Sequence, residues 1–250
     1  MLNLSSPFTR PRRDPRRVLR PEAPLHESVV ALAAPDSFEA DQYRILRHRI
    51  DHVAADGPVR SIAVTSADVG DGKTTTAINL AAAFAHTGGP ETLLIDADVR
   101  RPAILERLGL DPDLYPGLAE LLARPGTPAD EMIGWWYEGR LWVLPSGRCP
   151  DEPFRLAESD ALPSLFAELH DRFDRIVIDL PPLLPVLDAR VMARAADAVI
   201  LVIGARRTPR RHVEEALRII EPDRLLAIVL NGDEGLPVNY DDYRRYQRRK

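Results

Sequence analysis

A glycine-rich loop between an apolar run and an alanine-rich segment constrains the fold of this 250-residue chain more than any other feature. The loop runs from Ala67 to Thr74 (ADVGDGKT) and directly follows an apolar stretch. Its glycines let backbone N–H groups turn inward around phosphate oxygens, and the N-terminus of the next helix adds the positive end of its dipole. We therefore predict a loop that binds the phosphates of a nucleoside triphosphate. The predicted contacts are Gly70, Asp71, Gly72, Lys73, Thr74 and Thr75.

The use of lysine supports a special role for Lys73. Lysine and arginine together number 33, yet lysine occurs only at Lys73 and Lys250. In loops of this pattern the lysine reaches the β- and γ-phosphates, and the hydroxyl that follows it, here that of Thr74, ligates Mg²⁺. A glycine-rich turn with a chance lysine is the alternative, and the scarcity of lysine argues against it.

Short apolar runs alternate with helical segments along the rest of the chain. Strands are predicted at 61–64, 92–95, 141–144, 175–178, 198–203 and 225–230. Helices are predicted at 37–53, 73–87, 103–108, 117–123, 160–172, 188–195 and 208–220. Several strands lack polar alternation, as is typical of strands buried on both faces. The pattern predicts an α/β fold with a doubly wound, mostly parallel sheet and helices on both faces, as in P-loop NTPases.

The chain is predicted to have one domain between two tails. Residues 1–36 combine arginines with prolines, which favours a flexible tail and leaves open a contact with acidic lipid or an acidic partner. Residues 37–232 form the predicted nucleotide-binding domain, and residues 233–250 form a polar tail that contains tyrosines.

Composition argues against a nucleic-acid-binding, a disulfide-stabilised or a membrane-spanning protein. A net charge of −5 gives no general attraction to nucleic acid, and the single cysteine, Cys149, excludes an internal disulfide. No run approaches the roughly 20 apolar residues that a membrane helix needs. We expect a cytoplasmic protein whose link to the membrane passes through a partner.

Two further segments end apolar runs with aspartates. Asp96 and Asp98 follow the second predicted strand, and Asp179 follows the fourth. Residues two apart on an extended chain point the same way, and ligands bind at the carboxyl ends of parallel strands. The three carboxylates are therefore predicted to face the phosphate loop, where Mg²⁺ would be bound through carboxylates and water. A capping role for any one of them is the alternative.

Residues 96–102 (DADVRRP) and 179–182 (DLPP), beside the phosphate loop, resemble the motifs of the bacterial tyrosine kinases, which serve capsule and exopolysaccharide assembly. The resemblance covers about residues 37–231. It implies an ATP-dependent autokinase that regulates polysaccharide synthesis and export. It also implies a separate integral membrane protein that activates the kinase and recruits it to the inner face of the plasma membrane.

The same resemblance implies roles for individual residues. Lys73 binds phosphate, and Asp96 is the candidate base near the tyrosine hydroxyl. Asp98 and Asp179 lie at the metal, with Thr74. Asn231, at the end of the last strand, is expected to meet the adenine.

Two more implied features concern assembly into a ring of subunits that phosphorylate one another. The implied phosphoacceptors are Tyr240, Tyr243 and Tyr246, although an ordinary polar tail remains an alternative. The implied oligomerisation motif is Asp41, Arg44 and Arg47, where the alternative is three surface charges on a helix.

Related nucleotide-binding classes fit less well. Partitioning ATPases carry a second lysine at the start of the loop, where this chain has Asp68, so a lysine-bridged dimer is not expected. Nitrogenase-type reductases need cluster cysteines, and GTPases need an Asn-Lys-x-Asp segment; neither is present. A nucleotide-binding scaffold of a polysaccharide complex, without kinase activity, has the same core motifs and stays open.

Overall fold

The computed structural model describes residues 17–53, 59–86, 89–136, 140–153 and 159–233. Eight strands form one sheet in the order β1-β4-β5-β3-β6-β2-β7-β8. The strands are β1 (Val18–Leu19), β2 (Ser61–Ser66), β3 (Thr92–Asp96), β4 (Gly134–Trp136), β5 (Leu141–Leu144), β6 (Arg175–Asp179), β7 (Ala198–Gly204) and β8 (Leu225–Asn231). Every pairing is parallel except that of β4 with β5.

Helices cover both faces of this sheet. They are α1 (Val30–Ala33), α2 (Phe38–Val53), α3 (Lys73–Phe84), α4 (Ile104–Arg107), α5 (Leu118–Ala123), α6 (Ala161–His170), α7 (Leu187–Ala195) and α8 (Arg210–Ile219). The predicted doubly wound, mostly parallel α/β fold is confirmed. Within the described ranges, no helix is both long enough and apolar enough to cross a membrane.

The two faces of the central strands supply two separate apolar cores. On β6, Ile176 and Ile178 pack into the core beneath α5, α6 and α7, whereas Val177 between them packs into the core beneath α3. This division follows from the two-residue period of a strand. It also explains the missing polar alternation, because neither face of β6 meets water.

Two short strands were not predicted, namely β1 and β4. They have two and three residues, which is too short for a hydrophobic period to be recognised. The six predicted strands and the helices from 37 onward are present, with ends that coincide or differ by at most three residues.

The prediction of a flexible tail as far as residue 36 is wrong for its second half. Val18 and Leu19 pair with Trp135 and Trp136 at the edge of the sheet, and Leu19 and Val29 are buried. These apolar side chains anchor the segment despite its prolines and arginines, because burying each one stabilises the docked state. Residues 1–16, which hold most of those arginines, lie outside the described part of the chain.

Candidate active site

The phosphate loop adopts the conformation that its glycines allow. Gly70 and Gly72 have φ values of +86° and +98°, in the left-handed region that other residues avoid. A Cβ atom on Gly72 would lie 2.0 Å from the side-chain Nδ2 of Asn231, so no larger residue fits at position 72 without a shift of Asn231. Helix α3 begins at Lys73, and its first intrahelical bond joins the N–H of Thr76 to the carbonyl of Gly72. The N–H groups of the first turn are therefore available to an anion.

Lys73 is held among carboxylates at the carboxyl edge of the sheet. Its Nζ donates to Oδ2 of Asp98 at 2.8 Å and lies 3.6 Å from Oδ1 of Asp179. Burial opposes the charged form of Lys73, but the charges of Asp179 and Asp98 outweigh it and raise the pKa. The lysine therefore stays protonated, which suits a group that binds phosphate.

Asp96 and Asp179 are brought together by the register of the sheet, in which they are direct partners on β3 and β6. Both are almost fully buried, each with an exposed fraction of 1%. Burial, with the charge of Asp179, raises the pKa of Asp96 to about 7. Burial likewise raises the pKa of Asp179, against the opposing charge of Lys73. A carboxyl group with a pKa near neutrality can exchange a proton during a reaction.

Asp96 is also fixed in position by backbone donors. Its Oδ2 accepts hydrogen bonds from the N–H groups of Ala103 and Ile104, each at 3.1 Å, and its Oδ1 accepts one from the N–H of Asp98 at 3.3 Å. These bonds tie the start of α4 to the end of β3. Asp96 therefore also has the capping role that the sequence left open as an alternative, in addition to its place in the cluster.

The residues predicted to hold Mg²⁺ fit a metal bound partly through water. Neither side-chain oxygen of Asp179 has a hydrogen-bond partner among the described residues, although both are buried. Thr74 is buried next to Lys73, with its Oγ1 3.4 Å from the lysine Nζ. Within the described ranges, no three acidic, histidine or cysteine side chains are placed to hold a metal ion by themselves. A magnesium ion here would depend on one or two carboxylates, a hydroxyl, water and phosphate, which is its usual mode with nucleotides.

Arg207 and Thr208, between β7 and α8, hydrogen-bond to the phosphate loop at Gly70 and Asp71, and we call these contacts the clasp. The sequence did not predict them. Thr208 Oγ1 donates to Oδ1 of Asp71 at 2.7 Å and accepts from the N–H of Gly204 at 2.9 Å. The guanidinium of Arg207 donates to the carbonyl of Gly70 at 3.1 Å. The side chain of Asp71 therefore points toward Thr208, and this hydrogen bond helps to hold the loop in its conformation.

Asp68 and Asn231 also contact neighbouring elements at this loop. Asp68 occupies the position of the second lysine of partitioning ATPases, and its carboxylate contacts Nδ1 of His212 on α8. Asn231, expected near the adenine, donates from Nδ2 to the carbonyl of Asp71 at 3.0 Å. Its amide is therefore beside the loop, where it supports the turn at Gly72.

Other predicted residues lie apart from this cluster. Asp41 and Arg44 form an ion pair with each other on α2. Arg47 donates to the carbonyl of Ala83 at 3.3 Å, near the far end of α3 from the phosphate loop. The three tyrosines of the C-terminal tail lie outside the described residues. The structure therefore brings together the loop and the three aspartates, and leaves the predicted assembly residues elsewhere.

Known proteins are similar to this chain in sequence and in fold. The model of the CobQ/CobB/MinD/ParA nucleotide binding domain matches residues 62–237. Tyrosine-protein kinase YwqD of Bacillus subtilis (strain 168) is 33% identical over 210 residues, which are 83% of this chain and 87% of that protein. Succinoglycan biosynthesis transport protein ExoP of Rhizobium meliloti is 32% identical over 233 residues, which are 89% of this chain but only 29% of that protein.

Solved structures agree with the sequence relatives. The kinase domain of the Escherichia coli tyrosine kinase ETK superposes with a TM-score of 0.76 at 25% identity, over 92% of this chain and 88% of that one. The matched family model covers more than half of the chain and includes the phosphate loop, β3 and β6. Taken with the kinase relatives, these matches show that this chain belongs to the bacterial tyrosine kinases, within the CobQ/CobB/MinD/ParA nucleotide-binding class.

Proposed function

We propose that this protein transfers the γ-phosphoryl group of ATP to tyrosine residues of its own subunits and thereby regulates the synthesis and export of an extracellular polysaccharide. The observation that carries the proposal is the cluster of Lys73 with Asp96, Asp98 and Asp179 at the carboxyl edge of the sheet. The relation to tyrosine-protein kinases supports transfer to tyrosine over a scaffold without kinase activity. The relation to a succinoglycan biosynthesis transport protein supports the link to polysaccharide.

In the proposed reaction, the tyrosine hydroxyl oxygen attacks the γ-phosphorus, and the bond from that phosphorus to the oxygen bridging to the β-phosphate breaks. The N–H groups of the loop and Lys73 hold the phosphates in line with the incoming oxygen. Asp96 accepts the proton of the tyrosine, for which a pKa near 7 is suited. ADP leaves with the bridging oxygen, and the product is phosphotyrosine.

Thr74, Asp98 and Asp179 are the proposed metal-site residues. Bound Mg²⁺ would neutralise charge on the β- and γ-phosphates. The oxygens of Asp179 have no hydrogen-bond partner among the described residues, although one is ion-paired with Lys73, and they are placed to accept hydrogen bonds from water at that site. Asp98 accepts from Lys73 through Oδ2 and from the N–H of Arg101 through Oδ1, so its carboxylate is oriented before any ligand arrives.

The proposed substrates and partners follow from the family. Tyr240, Tyr243 and Tyr246 are the proposed phosphoacceptors, offered by one subunit to the site of its neighbour in a ring. The oligomerisation residues are proposed to be Asp41, Arg44 and Arg47. A separate integral membrane protein would activate the kinase and hold it at the inner face of the membrane.

The test is to incubate purified protein with ATP and Mg²⁺, with and without a cytoplasmic fragment of a membrane activator, and to map phosphotyrosine by mass spectrometry. We expect label on the C-terminal tyrosines that depends on Lys73. Replacing Tyr240, Tyr243 and Tyr246 together by phenylalanine should remove most of the label. ATP hydrolysis without any phosphotyrosine, even with the activator, would refute the kinase proposal and leave the scaffold.

A further inference from the structure

A further cation, Arg107, lies at the phosphate-binding end of α3 in addition to Lys73, close to the positive end of the helix dipole. Arg107 is the last residue of α4, and its Nη1 contacts Oγ1 of Thr75 and, at 3.2 Å, Oγ of Ser28. Thr75 is the third residue of α3, directly after the predicted metal ligand. Neither the spacing of the motif nor the resemblance to the kinases assigned Arg107 a role.

The surroundings of Thr75 identify it as a place for an anion. The N–H groups of Lys73, Thr74 and Thr75 all precede the first intrahelical bond of α3, which starts at Thr76. They therefore lack acceptors within the helix and carry the positive end of its dipole. A phosphate held by these groups would lie next to the Thr75 hydroxyl and so within reach of the guanidinium that contacts it.

The absence of a paired carboxylate at Arg107, among the described residues, also favours an anion at this place. In the described part of the chain, the polar partners of its guanidinium are the two hydroxyls, and no carboxylate lies within 4.0 Å of it. Arg172, by contrast, is paired with both Asp130 and Glu168. A cation beside the positive end of a helix is unfavourable unless an anion joins them. A nucleotide phosphate would supply that anion.

The position of Arg107 is also set by the active site itself. Helix α4 has only one turn, and the backbone at its start is held by the carboxylate of Asp96. Its last residue therefore cannot move far without disturbing the end of β3. Arginine is suited to this place, because its planar fork can bind a phosphate through two N–H groups at once.

We propose that Arg107 is a nucleotide-binding residue that donates to the α-phosphate, sharing it with the Thr75 hydroxyl and the N–H groups of the first turn of α3. Lys73 reaches the β- and γ-phosphates from the other side of the loop. The proposal depends on nucleotide binding in this loop and not on transfer to tyrosine. Binding of ADP to the wild-type chain therefore tests its premise separately from the kinase reaction.

The experiment measures the affinity of the full chain for fluorescent ATP and ADP analogues, with Arg107→Gln, Arg107→Lys and Ser28→Ala compared with wild type. We expect Arg107→Gln to weaken ATP and ADP binding equally, by about tenfold, because one charge-assisted contact is lost. Arg107→Lys should lose less, because the charge remains without the fork. Ser28→Ala is the matched control, since it removes the other partner of the arginine, and its affinity should stay within about twofold of wild type.

Three outcomes would overturn the proposal. The first is a folded Arg107→Gln variant with wild-type affinity for both nucleotides. The second is a loss in Ser28→Ala as large as that in Arg107→Gln, which would mean that the arginine acts by docking the N-terminal segment. The third is a loss for ATP but not for ADP, which would place the contact at the γ-phosphate. If Arg107→Gln does not fold, Arg107→Met takes its place: wild-type affinity for ADP in a folded Arg107→Met variant would refute the α-phosphate contact.

Discussion

Two clusters of acidic and basic residues in this molecule have similar chemistry and opposite surroundings. At the carboxyl edge of the sheet, Lys73 lies among aspartates with one-tenth or less of each side chain exposed. On α2, Asp41 and Arg44 form an ion pair with 34% and 46% of their side chains exposed. The first cluster raises the pKa values of Lys73 and Asp179, and that of Asp96 to about 7.

The comparison indicates that burial decides which charged residues of this fold can take part in chemistry. In the buried cluster, water screens the charges poorly, so burial and the neighbouring carboxylate raise the pKa of Asp96 and the carboxylates keep Lys73 charged. At the surface the same contact is screened and contributes little to stability. The buried cluster is therefore expected to be sensitive to every substitution, and the exposed pair to matter mainly where another surface meets it.

The largest effect is expected for Lys73→Met. This variant removes the charge that we propose holds the β- and γ-phosphates, and phosphoryl transfer depends on positioning and charge neutralisation. Autophosphorylation should fall by at least about a thousandfold, as measured by phosphotyrosine per subunit at saturating ATP. Arg210→Met, at an exposed position on α8 (93% of the side chain exposed), is the matched control and should keep its label. Retained label in the lysine variant would contradict the role of the cluster.

The second effect is a pH-dependent gain in stability for Asp96→Asn without nucleotide or metal. The ordinary pKa of 3.8 for Asp96 rises to about 7 in the folded chain. Between these values the folded state binds a proton that the unfolded state has released, so the stability of the wild type falls as the pH rises. Asparagine escapes this loss, and the variant should be more stable than wild type by up to about 4 kcal/mol at about pH 8.

Urea unfolding at about pH 5 and at about pH 8 tests this prediction. At the lower pH the unfolded chain has already released the proton of Asp96, so the variant should be more stable than wild type by only about 2 kcal/mol, roughly a third to a half of the difference at the higher pH. The same variant should lose kinase activity at both pH values. A stability difference that does not grow with pH would show that the burial of Asp96 is compensated by other groups.

The third effect concerns the clasp on the phosphate loop. Its central residue, Thr208, is half-buried and so lies between the buried aspartates and the exposed Arg44 in its contact with water. Thr208→Val removes the hydroxyl that joins Asp71 to the N–H of Gly204. We expect a loss of about 1 to 2 kcal/mol in the free energy of unfolding and a higher KM for ATP, because the loop is less well held. Thr208→Ser keeps the hydroxyl and should behave like wild type. If valine and serine give the same values, the clasp does not shape the loop.

The sequence predicted the parts of the site that local patterns determine. Strand ends, the glycine turns and the start of α3 follow from neighbouring residues, so Lys73 and the three aspartates could be assigned to one edge of the sheet. The clasp could not be predicted, because Arg207 and Gly70 are 137 residues apart and nothing in their spacing marks the contact. The docked segment from residue 17 was missed because its two-residue strand shows no period.

The smallest effect on stability is expected for the exposed pair, in the double variant Asp41→Asn with Arg44→Gln. The two side chains lie three residues apart on one helix and are partly exposed to water, so the free energy of unfolding should change by less than about 0.5 kcal/mol. If α2 is the subunit interface, the same variant should shift the protein from larger assemblies to monomers in light scattering coupled to size-exclusion chromatography. A stability loss above about 1 kcal/mol would contradict the contrast with the buried cluster, because a screened surface pair cannot supply it. An unchanged assembly state would instead refute the role of α2 in the ring and leave the contrast intact.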